Sequence, residues 1–424
     1  MPANLSTVDA ILKDDYKDYI DQLNQATFLL SQIETLKDTV QGRIARHALH
    51  LGRSSGVGAR AENGTLPTAA NQAYATVPVP VRYVYGRIQL SGPTIRQAVT
   101  DRGAFVDALD AEMQGIRKDA MKDVNRQLWG TSNGVIATCG TTSSSATVQL
   151  LATTTGSTKL RHVFFDGGMV VDIGTVASPT AIASSRTVTA VDETNKTITI
   201  SGATVSTVSG THFVFRANAG GASNHSGAPG DGQIELTGVQ TIVSDSATLH
   251  TVTTAAQPKW KAYVNGNGGT NRAISETLIT GAIMKVLINS GEKPNLLVSS
   301  EGVHMSVANL FLSLKRNMEQ TQLKGGYAGI QYFSPSVSGQ GDEGPTVIYC
   351  DFDCPNNSIY GINTNSMVFH QVGEGWQFMD LDGAVMNRVA ATDAYEATLT
   401  CYAELACKQR NKNFAINDIT EVSI

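Results

Sequence analysis

The sequence predicts an α+β protein in which an all-β block interrupts a mixed host domain, and three observations predict it. The stretch from Gly42 to Leu90 alternates at both ends and is rich in glycine between them, the pattern of a two-stranded arm with a flexible tip. A helical stripe follows at once, from near Asp101 to Trp129. From about Thr141 to Thr254 helical periodicity disappears and Thr, Ser, Val and Gly dominate, after which helix-length and strand-length apolar runs return.

From Asp14 onward, Tyr16, Tyr19, Ile20, Leu23, Thr27, Leu30 and Ile33 recur at threes and fours, which predicts an amphipathic helix to about Thr39. The arm comes next. Its outward flank is Gly42-Arg-Ile-Ala-Arg-His-Ala-Leu-His-Leu51, its tip carries Gly52, Gly56, Gly58 and Gly64, and its return runs from Val77 to Leu90. A lone hairpin is marginal in water, and a connection this long inside a domain is usually functional or disordered. Another chain is therefore expected to complete the arm, and the protein is expected to assemble.

The helix that follows carries Phe105, Leu109, Met113, Ile116, Ala120, Val124 and Leu128 on one stripe. Asp107, Asp110, Gln114, Arg117, Lys118, Lys122 and Arg126 are expected to cover the rest, and Gly130 and Asn133-Gly134 to stop it. At the usual rise it forms a rod of about 45 Å. In the β block, Thr187 to Val191 and Thr197 to Ile200 flank a polar turn and read as a hairpin. Short runs at 162–165, 169–171, 211–215 and 248–252 suggest a small barrel or sandwich, and the stretch from Ala217 to Gly232 a loop.

Ile274, Leu278, Ile279, Ile283, Met284 and Leu287 then predict a helix ended by Asn289-Ser290-Gly291. A buried strand at 295–299, a second helix from about Ser300 to Met318, and strands at 346–349, 358–362 and 367–370 follow. The tail from Tyr395 to Cys407 alternates for a dozen residues, long enough to imply an elongated sheet.

At 424 residues the chain is long enough for two or three domains. Only 16% of residues are charged, which suits a surface hidden in interfaces and equally a β-rich protein with polar uncharged faces. The net charge of −5 gives no general attraction to nucleic acid or anionic membrane. The first forty residues are acidic, whereas the arm is basic, with Arg43, Arg46, Arg53, Arg60, Arg82 and Arg87 against Glu62. Such asymmetry suits pairing one subunit's arm with another's acidic surface, or simply two solvated faces. The chain has no bilayer-length apolar run and no charged-then-apolar leader, so it is expected to be made in the cytosol. Of five cysteines, only Cys350 and Cys354 are close in sequence. No matching Cys or His pair follows them, so reduced buried thiols are expected rather than zinc.

No catalytic constellation emerges: no P-loop, no His-Glu-x-x-His, no Gly-x-Ser-x-Gly. The histidines are scattered, with His47 and His50 on the arm and His370 on a strand. A carboxylate pair such as Asp380 and Asp382 falls at strand or turn spacing and could bind a metal ion, but surface acid clusters usually do nothing. Trp129, Trp260 and Trp376 are dispersed and no basic run interleaves with aromatics, so specific nucleic-acid reading is not expected. Neither enzyme activity nor a cofactor or metal is expected.

The order of parts is a short N-terminal helix, an extended arm, a long spine helix, a mixed α/β domain and a return to a long C-terminal strand. It resembles the major capsid protein of tailed bacteriophages, the Hong Kong 97-type coat fold. Ala403-Glu-Leu-Ala-Cys-Lys-Gln-Arg-Asn-Lys-Asn-Phe-Ala-Ile-Asn417 is similar to the closing strand of many such proteins. The resemblance implies an N-terminal arm and helix at 1–41, an extended loop at 42–90 and a peripheral domain with the spine helix at 91–140. It further implies an inserted all-β domain at 141–255, an axial domain at 256–377 and a peripheral return at 378–424. The six arm arginines would be inter-subunit contacts. Partners would be further copies in pentamers and hexamers of a shell, a separate scaffolding protein, portal and decoration proteins, and DNA enclosed without sequence-specific binding. The location would be the virion, with the inserted domain outside. Two departures stand out. The extended loop holds no lysine, so no covalent weld through it is expected, and only about forty residues precede it, so no scaffolding segment is expected in the chain. The rival reading is an elongated β-rich surface or adhesion protein.

Overall fold

The computed structural model describes residues 28–37, 40, 44–93, 102–151, 164–220, 232–246, 248–313, 320–322, 328–332, 346–380 and 383–422. Within them lie two mixed sheets, a hairpin arm, a long helix and a closed β domain. The peripheral sheet is organised on the strand Ala394–Cys407, whose 14 residues match the long alternating tail. Arg82–Ser91 pairs antiparallel with it from Ala394↔Ser91 to Ala403↔Arg82. Met367–Gln371 pairs with its far end, and Glu34–Lys37 adds parallel to Met367–Gln371. The axial sheet has seven strands in the order Tyr263–Asn265, Phe414–Ile416, Ile359–Ile362, Leu296–Ser299, Thr346–Cys350, Ala328–Tyr332, Gln320–Gln322.

Several local signals acted as expected. The helix Glu276–Ser290 starts where the Ser275 hydroxyl accepts the Leu278 amide and stops at Gly291, whose φ of 80° is left-handed. Its Ile279, Ala282, Ile283 and Val286 pack on the axial sheet with Leu297, Ile348 and Phe414. The spine helix runs Arg102–Trp129. Met113, Val124 and Leu128 are buried as the stripe requires, whereas Phe105 and Leu109 carry side chains outside the described residues. Arg117 and Arg126, assigned to the polar cover, are buried instead. The helix is enclosed on more than one side because the peripheral sheet and the returning segment 232–262 both pack on it.

The N-terminal helix lies outside the described residues up to Phe28, and its described part ends at Gln32. Glu34–Lys37, expected to be helical, forms the strand beside Met367–Gln371. Edge pairing there outweighs the local period, because four residues gain backbone partners on an existing sheet.

The β block closes on itself. Six antiparallel strands follow the order Val135–Thr138, Phe213–Arg216, Val170–Gly174, Ala183–Asp192, Thr197–Ile200, Thr147–Gln149. The antiparallel bridge Cys139↔Leu150, with Leu151 N–H donating to Thr138 O at 2.9 Å, joins the last strand to the first. The result is a small barrel packed solid with Ile136, Val148, Leu150, Val171, Ile173, Val188, Ile198, Ile200 and Val214. Its strands begin before 141 and end at Arg216. Beyond 232 the chain re-enters the host core through Leu236, Val239, Ile242, Leu249, Val252 and Trp260. The expected strand at 248–252 is only a tight bridge, Leu249↔Val252. Phe164 and Phe165 pack into the barrel as turn and coil rather than strand.

Candidate assembly interface

The arm is the antiparallel hairpin of Ile44–Gly52 with Ala73–Pro80, in register from Ile44↔Pro80 to His50↔Tyr74. Pro78 and Pro80 are tolerated because, among the described residues, neither strand has a further neighbour that needs their missing N–H. The expected arm therefore divides: its return flank beyond Pro80 belongs to the peripheral sheet, where Gly86 lets Ile116 of the spine helix approach to 3.0 Å of where a Cβ would stand. The arm root is bound to the body. Ala45, Leu49, Val77 and Val79 share a core with Leu29, Trp129, Leu405 and Phe369.

The tip, residues 53–72, has no regular strand or helix, yet it closes on itself. Ser54 Oγ donates to Ala70 O at 2.7 Å, the Ser54 amide donates to Gln72 Oε1 at 3.1 Å, and Arg60 Nε donates to Thr65 O at 3.0 Å. Val57 at 88% and Leu66 at 82% exposure present apolar side chains to solvent.

The arginines fall into two groups. Arg46, Arg53 and Arg60 are exposed along the hairpin and its tip. Arg82 is buried: its Nε lies 3.2 Å from Glu404 Oε2 and its Nη1 donates to Gln233 O at 2.7 Å. Glu404, wholly buried, also accepts the Thr237 amide at 2.6 Å and the Leu405 amide at 3.0 Å. Burial pushes its carboxyl up to about 7, against the pull of Arg82 and those amides. Arg87 pairs with Glu396 on the outer face of the sheet. Beside that pair Tyr83 and Tyr85 stand edge-on to Tyr402, with centroids 5.2 and 6.1 Å away. Arg43 lies outside the described residues.

The sequence did not reveal which buried polar groups tie the parts together. Trp129 Nε1 donates to Asp351 Oδ2 at 2.9 Å, fastening the end of the spine helix to the segment after Thr346–Cys350. Arg410, fully buried, donates to Ile242 O and Ser244 O at 2.8 and 2.9 Å. A lone acid in the run Tyr402-Ala-Glu-Leu-Ala-Cys407 was the available signal for Glu404. Cys354 Sγ lies 3.9 Å from Val298 O, and Asp351 and Asp353 of the same segment serve Trp129 and Asn125. Among the described residues no group of three or more His, Cys, Asp or Glu is placed to hold a metal. Asp382 lies outside them.

No family model matches the chain, and neither does any curated protein. Among solved structures it is similar to the capsid asymmetric unit of cyanophage A-1(L), at 12% identity, covering 94% of each chain with a TM-score of 0.55. It is also similar to the capsid of an empty GTA particle, at 8% identity over 93% of this chain and 91% of that one, TM-score 0.46. A third is Mycobacterium phage Bobi, at 10% identity over 92% and 90%, TM-score 0.41. With hairpin arm, spine helix, peripheral and axial sheets in that order, and with the first of these likenesses spanning nearly the whole chain, the protein has the Hong Kong 97-type fold of phage capsid subunits.

Proposed function

We propose that this chain is the major capsid subunit of a tailed bacteriophage, assembling through pentamers and hexamers into an icosahedral shell around double-stranded DNA. One observation carries the reading: a hairpin rooted in the subunit core ends in a self-closed tip whose Val57 and Leu66 are left in solvent. The whole-length likeness to a cyanophage capsid subunit supports it. Each arm lies over a neighbouring subunit, with Arg46, Arg53 and Arg60 facing acidic surface there, and Arg43 is a further candidate contact. Arg87, exposed beside Glu396, is a further contact, and Arg82 contributes from within the subunit by tying the arm's return flank to Glu404. Contacts that close head to tail make rings, and permanent assemblies commonly bury about 2,000–5,000 Å² per interface. Each subunit is held by several neighbours, so individually weak contacts sum to a stable shell. A scaffolding protein, a portal and decoration proteins act as separate chains. The DNA is enclosed rather than read, and no catalytic step, cofactor or membrane is involved.

The test is to replace residues 53–72 by an Asn-Gly turn joining Gly52 to Ala73, and to sediment the product. Folded subunits that no longer form closed shells are expected. Normal shells from that variant would remove the arm from the mechanism.

A further inference from the structure

The arm root is fastened by two imidazoles facing each other. His47, on the first arm strand, meets His370, on Met367–Gln371, with Nε2 to Nε2 at 2.6 Å and ring centroids 4.8 Å apart. At that distance one ring presents its N–H and the other its lone pair. The contact lies beside the apolar anchor of the arm, Ala45, Leu49, Val77 and Val79. Among the described residues, charged groups stand near it in sequence register or in electrostatic reach. Lys408 opposes a proton on either ring and is itself paired with exposed Glu34 at 3.7 Å. Glu404 stands opposite His370 in the strand register, but its carboxylate is committed to Arg82 and to the Thr237 and Leu405 amides. Lys37, opposite Gln371, and Arg46, next to His47, are both exposed.

We propose that the His47–His370 pair is an acid-sensitive latch, which holds the arm root to the subunit body at neutral pH and lets it go when both rings carry a proton. A first proton still leaves one lone pair to accept a hydrogen bond. A second leaves two N–H donors and two positive charges face to face, with Lys408 adding a third. Burial, then His47 and Lys408, brings His370 down to about 4. Burial, then Lys408, lowers His47 as well. Because the docked state holds these rings below the ordinary imidazole value of about 6.5, the detached state binds more protons. Docking is therefore fully present above that value and is lost as pH falls toward 4. The latch belongs to the single subunit, so it is tested apart from shell assembly.

The experiment is hydrogen exchange by mass spectrometry on the full-length subunit from pH 8 to 4, with protection corrected for intrinsic exchange. Protection of Ile44–Gly52 and Ala73–Pro80 is expected to fall at least tenfold in the acid half of that range, while the barrel strands keep theirs. In the double variant His47→Gln/His370→Gln, which retains hydrogen-bonding side chains but cannot be charged, the arm is expected to stay protected throughout. An arm in the wild-type protein that keeps its protection down to pH 4 would overturn the proposal without recourse to the variant. So would a double variant that lost protection with the wild-type midpoint.

Discussion

Replacing Arg82 by Met isolates what the buried end of the arm contributes to the subunit. Met occupies most of the volume of the arginine stem, so packing is largely kept while the charge is removed. The change breaks the 3.2 Å ion pair with Glu404 and the 2.7 Å bond to Gln233 O. It leaves Glu404, at 0% exposure, with only the Thr237 and Leu405 amides. Removing one partner of a buried pair typically costs about 3–5 kcal/mol, because the survivor is left as an uncompensated charge. The assay is guanidinium unfolding of the subunit followed by tryptophan fluorescence at pH 8, with Arg82→Met, Glu404→Gln and the double variant forming a cycle. In the double variant neither charge remains, and a coupling above about 2 kcal/mol is expected. The pH dependence has a definite sign. Glu404 titrates near 7 in the folded protein against 4.5 for a free glutamate, so the native state binds the extra proton and this group's contribution falls as pH rises between those values. Without Arg82 the carboxyl rises further, and the deficit of the single variant widens above pH 7. A cost below about 1 kcal/mol for Arg82→Met, or a cycle additive within about 0.5 kcal/mol, would refute the reasoning.

Four further outcomes are expected. Converting Arg46, Arg53 and Arg60 together to Gln changes subunit stability by no more than about 0.5 kcal/mol per site, since all three are exposed, while sedimentation shows fewer closed shells. Trp129→Phe leaves Asp351 without the indole donor at 2.9 Å, and denaturant unfolding should show a loss of about 1–3 kcal/mol. Gly238→Ala would place a Cβ 2.0 Å from the backbone oxygen of Gly130, so little folded protein is expected by circular dichroism. Gly115→Ala, with nothing within 4 Å on the spine helix, should instead gain about 0.5–1 kcal/mol.

What could be read from the sequence was what local chemistry decides. The helix at 276–290 announced itself by Ser275, its apolar period and Gly291. The hairpin of Ala183–Asp192 with Thr197–Ile200 announced itself by alternation around a polar turn, where Lys196 takes a φ of 53°. The length of Ala394–Cys407 was visible in its alternation. What could not be read depends on residues far apart in the chain. Nothing between 34 and 37 says that Met367–Gln371 offers a free edge, so the helical period ran on too far. The return flank of the arm alternates equally well in a free hairpin or a central sheet, and only its pairing with Ala394–Cys407 decides which. Arg82 accordingly looked like the other arm arginines, though it is buried and held by Glu404. Barrel closure among the described residues rests on the bridge Cys139↔Leu150, which the strand signals did not contain.

The most direct measurement is electron microscopy of the heavy fraction after sedimentation of the expressed chain, alone and with a scaffolding protein supplied. Closed shells, or rings of five or six subunits, with density for each arm crossing onto its neighbour, are the predicted result. A chain that remains monomeric with the scaffold present would contradict the capsid reading.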